Sequence, residues 1–249
     1  MAKPTLALIV PCYHPPSGWH LLFDEKVRAL ETALPQYALI PVIIVDGPSA
    51  TTHPDQFKYL AKHWPQIRYY FFSHNYGKGA AIRYGVYHCK SDFYMYTDID
   101  FPFELASMAT MARTLIQPQA PDIIAGVKGK AHYNQVPFLR KWVSRGLRLG
   151  IRLLFRLPHS DTQTGLKAFN QKGRAIFLQT TTNRYLFDLE FLLLAHHLSD
   201  LRIEWQEVSL RTDLHFTPLN MRMLTQELYN FLDLWLQYIR GFGSREKTH

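Results

Sequence analysis

An α/β fold built on a mostly parallel sheet flanked by helices is what this sequence predicts, and three observations carry the prediction. Short β-branched or aromatic runs recur at 5–10, 38–46, 67–72, 92–98 and 122–127. Stretches of helical length and pattern lie between them at 21–34, 79–89 and 104–116. Alternation of this kind is the signature of strand–helix–strand units and hence of parallel pairing. Third, the polar loops "VDGPS", "HNYGKG" and "DIDFPF" all follow strand ends, so they should collect at the carboxyl rim of the sheet, where ligands bind in such folds.

Past residue 130 the pattern changes. A basic amphipathic segment at 141–157 precedes a short strand in "TGLKAF", a helix at 186–198, a strand at 202–210 and a last apolar-aromatic helix at 219–240. No repeat and no low-complexity stretch interrupts the chain, and 249 residues with 47% hydrophobic content suffice for one sizeable core. The expected partition is a catalytic domain over 1–218 and a C-terminal helix and tail over 219–249.

Composition narrows the function. A net charge of +8 favours a polyanionic partner. No run approaches the roughly 18 apolar residues that cross a bilayer. The N-terminus runs straight into a strand pattern without a signal-peptide cleavage site, so a cytoplasmic location is expected. Cys12 and Cys89 stand far apart without metal or redox spacing and read as core thiols. There is no Gly-x-Ser-x-Gly elbow and no His-Glu-x-x-His to suggest a hydrolase, and no nucleic-acid recognition motif accompanies the charge, so nucleic acid is not an expected partner.

The chemistry-bearing residues begin with Asp98 and Asp100. If the strand persists that far, alternation points both carboxylates to one side, where they repel each other unless a cation lies between. Mn²⁺ or Mg²⁺ prefers oxygen ligands and reaches proteins through one or two carboxylates plus substrate phosphates. Taken alone, an Asp-x-Asp reads more readily as a solvated turn with two surface acids. Asp46 ends the second strand, a natural place to accept hydrogen bonds from a nucleotide. "NYGKGAAIRYG" sets Asn75, Gly77 and Lys78 at the start of a helix, where amides and a cation can face an anion, although the spacing is not that of a Walker loop.

Asp46, "NYGKGAAIRYG", "TDID", "SDTQTGLKAF", "RYLFDLEFLLLA" and "EWQEV" occur in one order. That order resembles family-2 glycosyltransferases of the GT-A fold, in the branch of polyprenyl- and dolichyl-phosphate mannosyl and glucosyl synthases; the similarity covers about residues 6–210. The resemblance implies an inverting hexosyltransferase that uses a sugar nucleotide donor and a lipid-phosphate acceptor. It implies donor contacts from Pro11, Tyr13, Asp46, Asn75, Gly77, Lys78, Arg83 and Asp98, with the metal on Asp98 and Asp100. Asp161 and Gln163 would sit beside the acceptor and the anomeric carbon, and Asp188 and Glu190 would complete the reaction cleft. Lys128, Arg184 and Arg211 would serve the acceptor side.

This chain departs from the family pattern in three places. His14 and Pro15 stand where Asn-Glu is usual, Pro102 where a Gln often follows the acidic pair, and "LRTDLHF" where Gly-Ser-Lys is usual. Base recognition, one possible metal contact and the acceptor are what these positions touch.

In the 141–157 segment Arg145, Arg148, Arg152 and Arg156 recur at steps of three and four, with apolar residues around the rest of the helix. Such a stripe suits an anionic membrane surface as well as it suits a core helix with one solvated face. The expectation is a peripheral protein on the cytoplasmic face of a membrane, with a membrane-protein partner or a second copy as further contacts. Two rival readings stay open: a soluble transferase to a glycan hydroxyl, and a non-catalytic scaffold of the same fold.

Overall fold

The structure, a computed structural model, describes residues 2–129, 146, 150–151, 153–155, 157–159, 161–197, 200–212 and 221–239, side chains of 221–229 excepted. The described elements run β1 (Thr5–Cys12), α1 (Trp19–Ala33), β2 (Ala38–Val45), α2 (Pro54–His63), β3 (Arg68–Phe71), α3 (Lys78–His88), β4 (Phe93–Tyr96) and α4 (Leu105–Thr114). They continue with β5 (Ile123–Lys128), β6 (Lys167–Phe169), α5 (Gln171–Phe177), α6 (Phe187–His197), β7 (Ile203–Val208) and α7 (Met221–Ile239).

Alternation along each strand feeds two cores. In β1, Leu6, Leu8 and Val10 pack on one face with α1, α2 and α4, while Ala7 and Ile9 pack on the other with α3, α5 and α6. A strand buried on both faces has no reason for polar residues, which is why "LALIV" after Thr5 is uniformly apolar. The sheet order is β3-β2-β1-β4-β6-β5-β7, with every pair parallel except the two that β6 makes with β4 and β5. The strand order therefore reverses at β1, and the carboxyl ends of β1, β2 and β4 open into the crevice that this reversal creates. Because β6 runs backwards, the residues before it, 161–166, lie at this same rim.

Two helices are absent from the sequence-based expectation. In α2, Pro54 takes the first turn, and Gln56 Oε1 accepts the His53 N–H at 2.8 Å. In α5, the Asn170 side chain accepts the Lys172 and Gly173 amides at 2.9 and 3.1 Å. At the other end of the chain, Phe231 and Leu234 of α7 share a third cluster with Leu189 and Leu193 of α6 and with Ile151 and Phe155. The apolar side of the 141–157 segment suited a membrane surface or a core helix alike; at Ile151 and Phe155 it is core, while Leu153 is turned outward. Arg145, Arg148, Arg152 and Arg156 lie outside the described residues. No described helix is long and apolar enough to cross a membrane.

Candidate active site

The strand β4 ends at Tyr96, two residues before Asp98. The two carboxylates are thus brought together by a turn and not by strand alternation, which corrects the expectation above. The Phe101 N–H donates to Asp98 O at 3.0 Å, and Phe101 takes a φ of 45°, a left-handed conformation uncommon outside glycine. Arg211 holds this turn: its guanidinium donates to the carbonyls of Asp100 (3.1 Å) and Phe101 (3.3 Å), and its N–H to Pro102 O (2.9 Å). Arg211, expected on the acceptor side, also shapes the loop that presents the acidic pair.

Lys78, the first residue of α3, places its ammonium 2.5 Å from Asp98 Oδ1. Burial pulls the Lys78 pKa down, but Asp98 and Asp188 together outweigh it, so the pKa lies above the ordinary value and the group is a cation. Asp100 is open to solvent on one side; desolvation by the protein around it, then repulsion from Asp98, raises its carboxyl above the usual range. Asp98 and Asp100 offer two hard oxygen donors at one turn, and a divalent ion bound there through both would suit their charge. Among the described residues no group of three His, Cys, Asp or Glu could hold a metal by itself, so the remaining ligands of such an ion would come from substrate and water.

The loop before β6 forms the opposite wall. A Cβ built on Gly165 would fall 2.7 Å from Asp98 Oδ2 and 2.9 Å from Lys78 Nζ, so the absence of a side chain there lets the wall approach the ion pair. Asp161 Oδ2 accepts the Lys128 N–H at 2.7 Å and the Thr164 hydroxyl at 3.3 Å, which fixes its carboxylate at the mouth of the loop. Gln163 Nε2 and Thr162 Oγ1 are buried without a hydrogen-bond partner among the described residues.

Beneath this loop lies a group that sequence reasoning missed. Lys167 is wholly buried; its ammonium donates to the carbonyls of Thr162 (2.7 Å) and Thr164 (2.5 Å) and pairs with Asp188 Oδ1 at 2.7 Å. Burial lowers its pKa, with Asp188 opposing. Asp188 also accepts the Tyr96 hydroxyl at 2.5 Å. The signal was available: in "LKAF", Lys167 alternates with Phe169, and Phe169 faces the α3–α5–α6 core.

Several residues expected to face ligands are committed within the protein. Asp188 is spent on Lys167 and Tyr96. Glu190, fully buried, accepts the amides of Thr181 (3.1 and 3.0 Å) and Thr182 (2.7 Å) and the Thr181 hydroxyl (3.1 Å). Arg83 donates to Thr180 Oγ1 (3.1 Å), to Thr182 O (3.3 Å) and to the Asn183 side chain. Together Glu190 and Arg83 fix the 180–183 loop, whose Asn183 carbonyl accepts the Gly79 and Ala80 amides at 2.8 and 3.3 Å. These two amides at the start of α3, read from sequence as a cradle for an anion, are therefore used by the chain itself. Asp46, 2% exposed, accepts the Tyr76 and Gly77 amides at 2.8 and 2.9 Å, and Asn75 Nδ2 reaches its carbonyl at 3.4 Å. Its carboxylate holds the 75–77 turn, in which Gly77 takes a φ of 102°. Pro11 is buried in β1, whereas Tyr13 is half exposed beside His14 and Arg184 is exposed.

The arrangement that results is a rim with an acidic pair, the Lys78 ammonium on Asp98 and a fixed carboxylate at Asp161, supported from below by buried charge. Residues 8–183 match glycosyl transferase family 2. Among curated proteins the chain is similar to a dolichyl-phosphate beta-glucosyltransferase of Trichomonas vaginalis, 28% identical over 217 residues (80% of this chain and 63% of that one). It is also similar to the dolichyl-phosphate beta-glucosyltransferase of Homo sapiens, 23% identical over 219 residues (82% and 68%). The chain thus spans about two thirds of the length of these relatives. In fold it is similar to mannosyl-3-phosphoglycerate synthase from Rubrobacter xylanophilus, with a TM-score of 0.66 at 12% identity (99% and 77% of the two chains). Glucosyl-3-phosphoglycerate synthase from Mycobacterium tuberculosis in complex with uridine diphosphate gives 0.60 at 14% identity (93% and 80%).

Proposed function

Because this chain belongs to glycosyl transferase family 2, with the GT-A arrangement of that family, we propose that it transfers a hexose, glucose by analogy with its relatives, from a sugar nucleotide to a polyprenyl or dolichyl phosphate with inversion at the anomeric carbon. The observation that carries this reading is the convergence at one rim of the Asp98–Asp100 turn, Lys78 and the Asp161 loop.

Asp98 and Asp100 would hold a Mn²⁺ or Mg²⁺ ion, which when bound neutralises charge on the departing nucleoside diphosphate. The rest of the work falls to the chain. Lys78 offers a second cation to phosphate oxygens. A phosphate-monoester acceptor has its second pKa near about 6 and is mostly a ready nucleophile at neutral pH, so Asp161 orients the acceptor and need not take a proton. Gln163, whose buried amide lacks a partner among the described residues, supplies a donor beside it. Lys167 and Asp188 act through the loop, as positioning groups. A lipid-phosphate acceptor puts the working protein at a membrane surface, and the cytoplasmic face remains the side proposed, since sugar nucleotides supply the donor.

The test is calorimetric titration of UDP-glucose and GDP-mannose with and without Mn²⁺ on the wild type and on Asp98→Asn, followed by transfer of labelled hexose to dolichyl phosphate in detergent. Metal-dependent binding of one donor, lost in Asp98→Asn, together with a labelled lipid product, is expected. Binding without lipid product would move the acceptor to a glycan hydroxyl, and absence of any donor binding would overturn the transferase reading.

A further inference from the structure

At the rim the Lys78 ammonium sits on Asp98, one of the two carboxylates that would hold a divalent ion. We infer that Lys78 is the resident counter-cation of the Asp98–Asp100 pair, and that a diphosphate draws it off Asp98 as the metal arrives, so that metal and nucleotide bind far better together than either does alone. The inference rests on the donor-binding reading above and deepens it.

The backbone around Lys78 is pinned. The Gly77 amide donates to Asp46 Oδ2 at 2.9 Å, and the Gly79 and Ala80 amides donate to Asn183 O. Only the four-carbon stem can move, and an ammonium on such a stem changes partners by rotamer changes alone. An incoming metal ion alone must displace or repel this cation from Asp98 Oδ1, 2.5 Å away, and the Gly165 wall beside the pair narrows the room for both to stay. An incoming diphosphate alone meets two carboxylates of like charge. With the Gly79 and Ala80 amides taken by Asn183, the cation for its oxygens must come from a side chain or a metal. When both arrive, the metal replaces Lys78 on Asp98 and the freed ammonium pairs with phosphate. Each ligand thus removes the obstacle to the other, which is a coupling free energy and is reciprocal.

The experiment is Mn²⁺ binding, read from the electron paramagnetic resonance of free Mn²⁺, to the wild type, Lys78→Met and Lys78→Arg, first without nucleotide and then with UDP or GDP. Without nucleotide, Lys78→Met should bind Mn²⁺ roughly three- to tenfold tighter than the wild type, and Lys78→Arg should bind like the wild type because it keeps the cation. With nucleotide, the wild type should tighten on Mn²⁺ by more than tenfold, and Lys78→Met should lose most of that gain. Thermal melts verify folding, and Lys78→Gln serves with the same expectation should the methionine variant fail to fold. Equal Mn²⁺ binding by wild type and Lys78→Met, with the wild type still binding Mn²⁺ and nucleotide, would refute the displacement and leave the proposed function standing. A wild type that takes up neither Mn²⁺ nor nucleotide would remove the proposed function, and the inference with it.

Discussion

The Lys167 ammonium lies 2.7 Å from Asp188 Oδ1, and solvent reaches neither residue to any useful extent. A lysine so placed supports the site from underneath, because its other two bonds fix the carbonyls of Thr162 and Thr164 in the loop that carries Asp161 and Gln163. Removing one partner of a buried pair leaves the other charge without compensation, at a cost of about 3–5 kcal/mol. Lys167→Met should therefore unfold in urea at a much lower midpoint than the wild type, and Lys167→Met/Asp188→Leu should recover more than half of the loss. A Lys167→Met protein as stable as the wild type would show that the pair is not a buried charge pair in solution.

Glu190 gives a second, more local expectation. Its carboxylate accepts two backbone amides and a hydroxyl from Thr181 and Thr182. Glu190→Gln keeps the size but turns one acceptor into a donor facing donors, and a buried group left unsatisfied costs about 1–3 kcal/mol. Amide hydrogen exchange at Thr181 and Thr182 should quicken while strand β1 stays protected. Unchanged protection at Thr181 and Thr182 would count against this role.

What the sequence disclosed and what it concealed follow one division. The strands β1 and β2 were legible because a sheet covered on both faces demands uninterrupted apolar residues, and the carboxylates at the rim were legible because they follow those runs. Helix α2 was not, since only Phe57 and Leu60 of its ten residues are buried and its apolar stripe is correspondingly thin. Helix α5, with seven residues, is too short to show a period. Among site residues the identities were readable and several roles were not. Whether Glu190 faces a cleft or is consumed by loop amides depends on the path of residues 180–183, which long-range contacts from Arg83 and from α3 decide, and Asp188 is taken by Lys167 and Tyr96 from other elements. A lysine in a strand ordinarily faces solvent; sharing a face with Phe169 marks Lys167 as buried, but its partner Asp188 lies on another element, beyond the reach of local pattern.

Acid stability should trace to Asp24, far from the rim. Burial would raise its carboxyl, but hydrogen bonds from Arg28, Trp64 and Tyr59 outweigh that and hold it below the ordinary value of 3.8. Trp64 Nε1 donates at 2.8 Å, Arg28 Nε at 3.1 Å and Tyr59 at 3.2 Å. A folded-state pKa below the unfolded one contributes stability that is complete above the unfolded value and is lost as pH falls through the folded value. Below about pH 4, then, Asp24→Asn should lose less stability per pH step than the wild type, although it is the less stable protein at neutral pH. Parallel acid limbs for the two proteins, measured as urea midpoints from pH 7 to pH 2.5, would place the titrating group elsewhere.

Two glycines that look alike in sequence should part company on substitution. A Cβ at Gly79 would lie 2.6 Å from Thr182 O and 2.7 Å from Phe187 Cβ, against a loop fixed by Glu190 and a core aromatic. Neither neighbour can yield without moving backbone, so Gly79→Ala should destabilise by about 1–3 kcal/mol, as overpacking does. A Cβ at Gly165 would meet the ends of two side chains, Asp98 Oδ2 at 2.7 Å and Lys78 Nζ at 2.9 Å, which can turn aside. Gly165→Ala should accordingly melt close to the wild type while the Asp98–Lys78 pair is pushed apart and the cleft narrows. Its loss should appear in donor binding, as at least a tenfold weaker sugar-nucleotide affinity. Thermal melts and titrations on both variants decide the matter: a Gly165→Ala protein that binds donor normally would show that the loop wall stands clear of the ligand, and one that melts as early as Gly79→Ala would show that the wall is as rigid as the core.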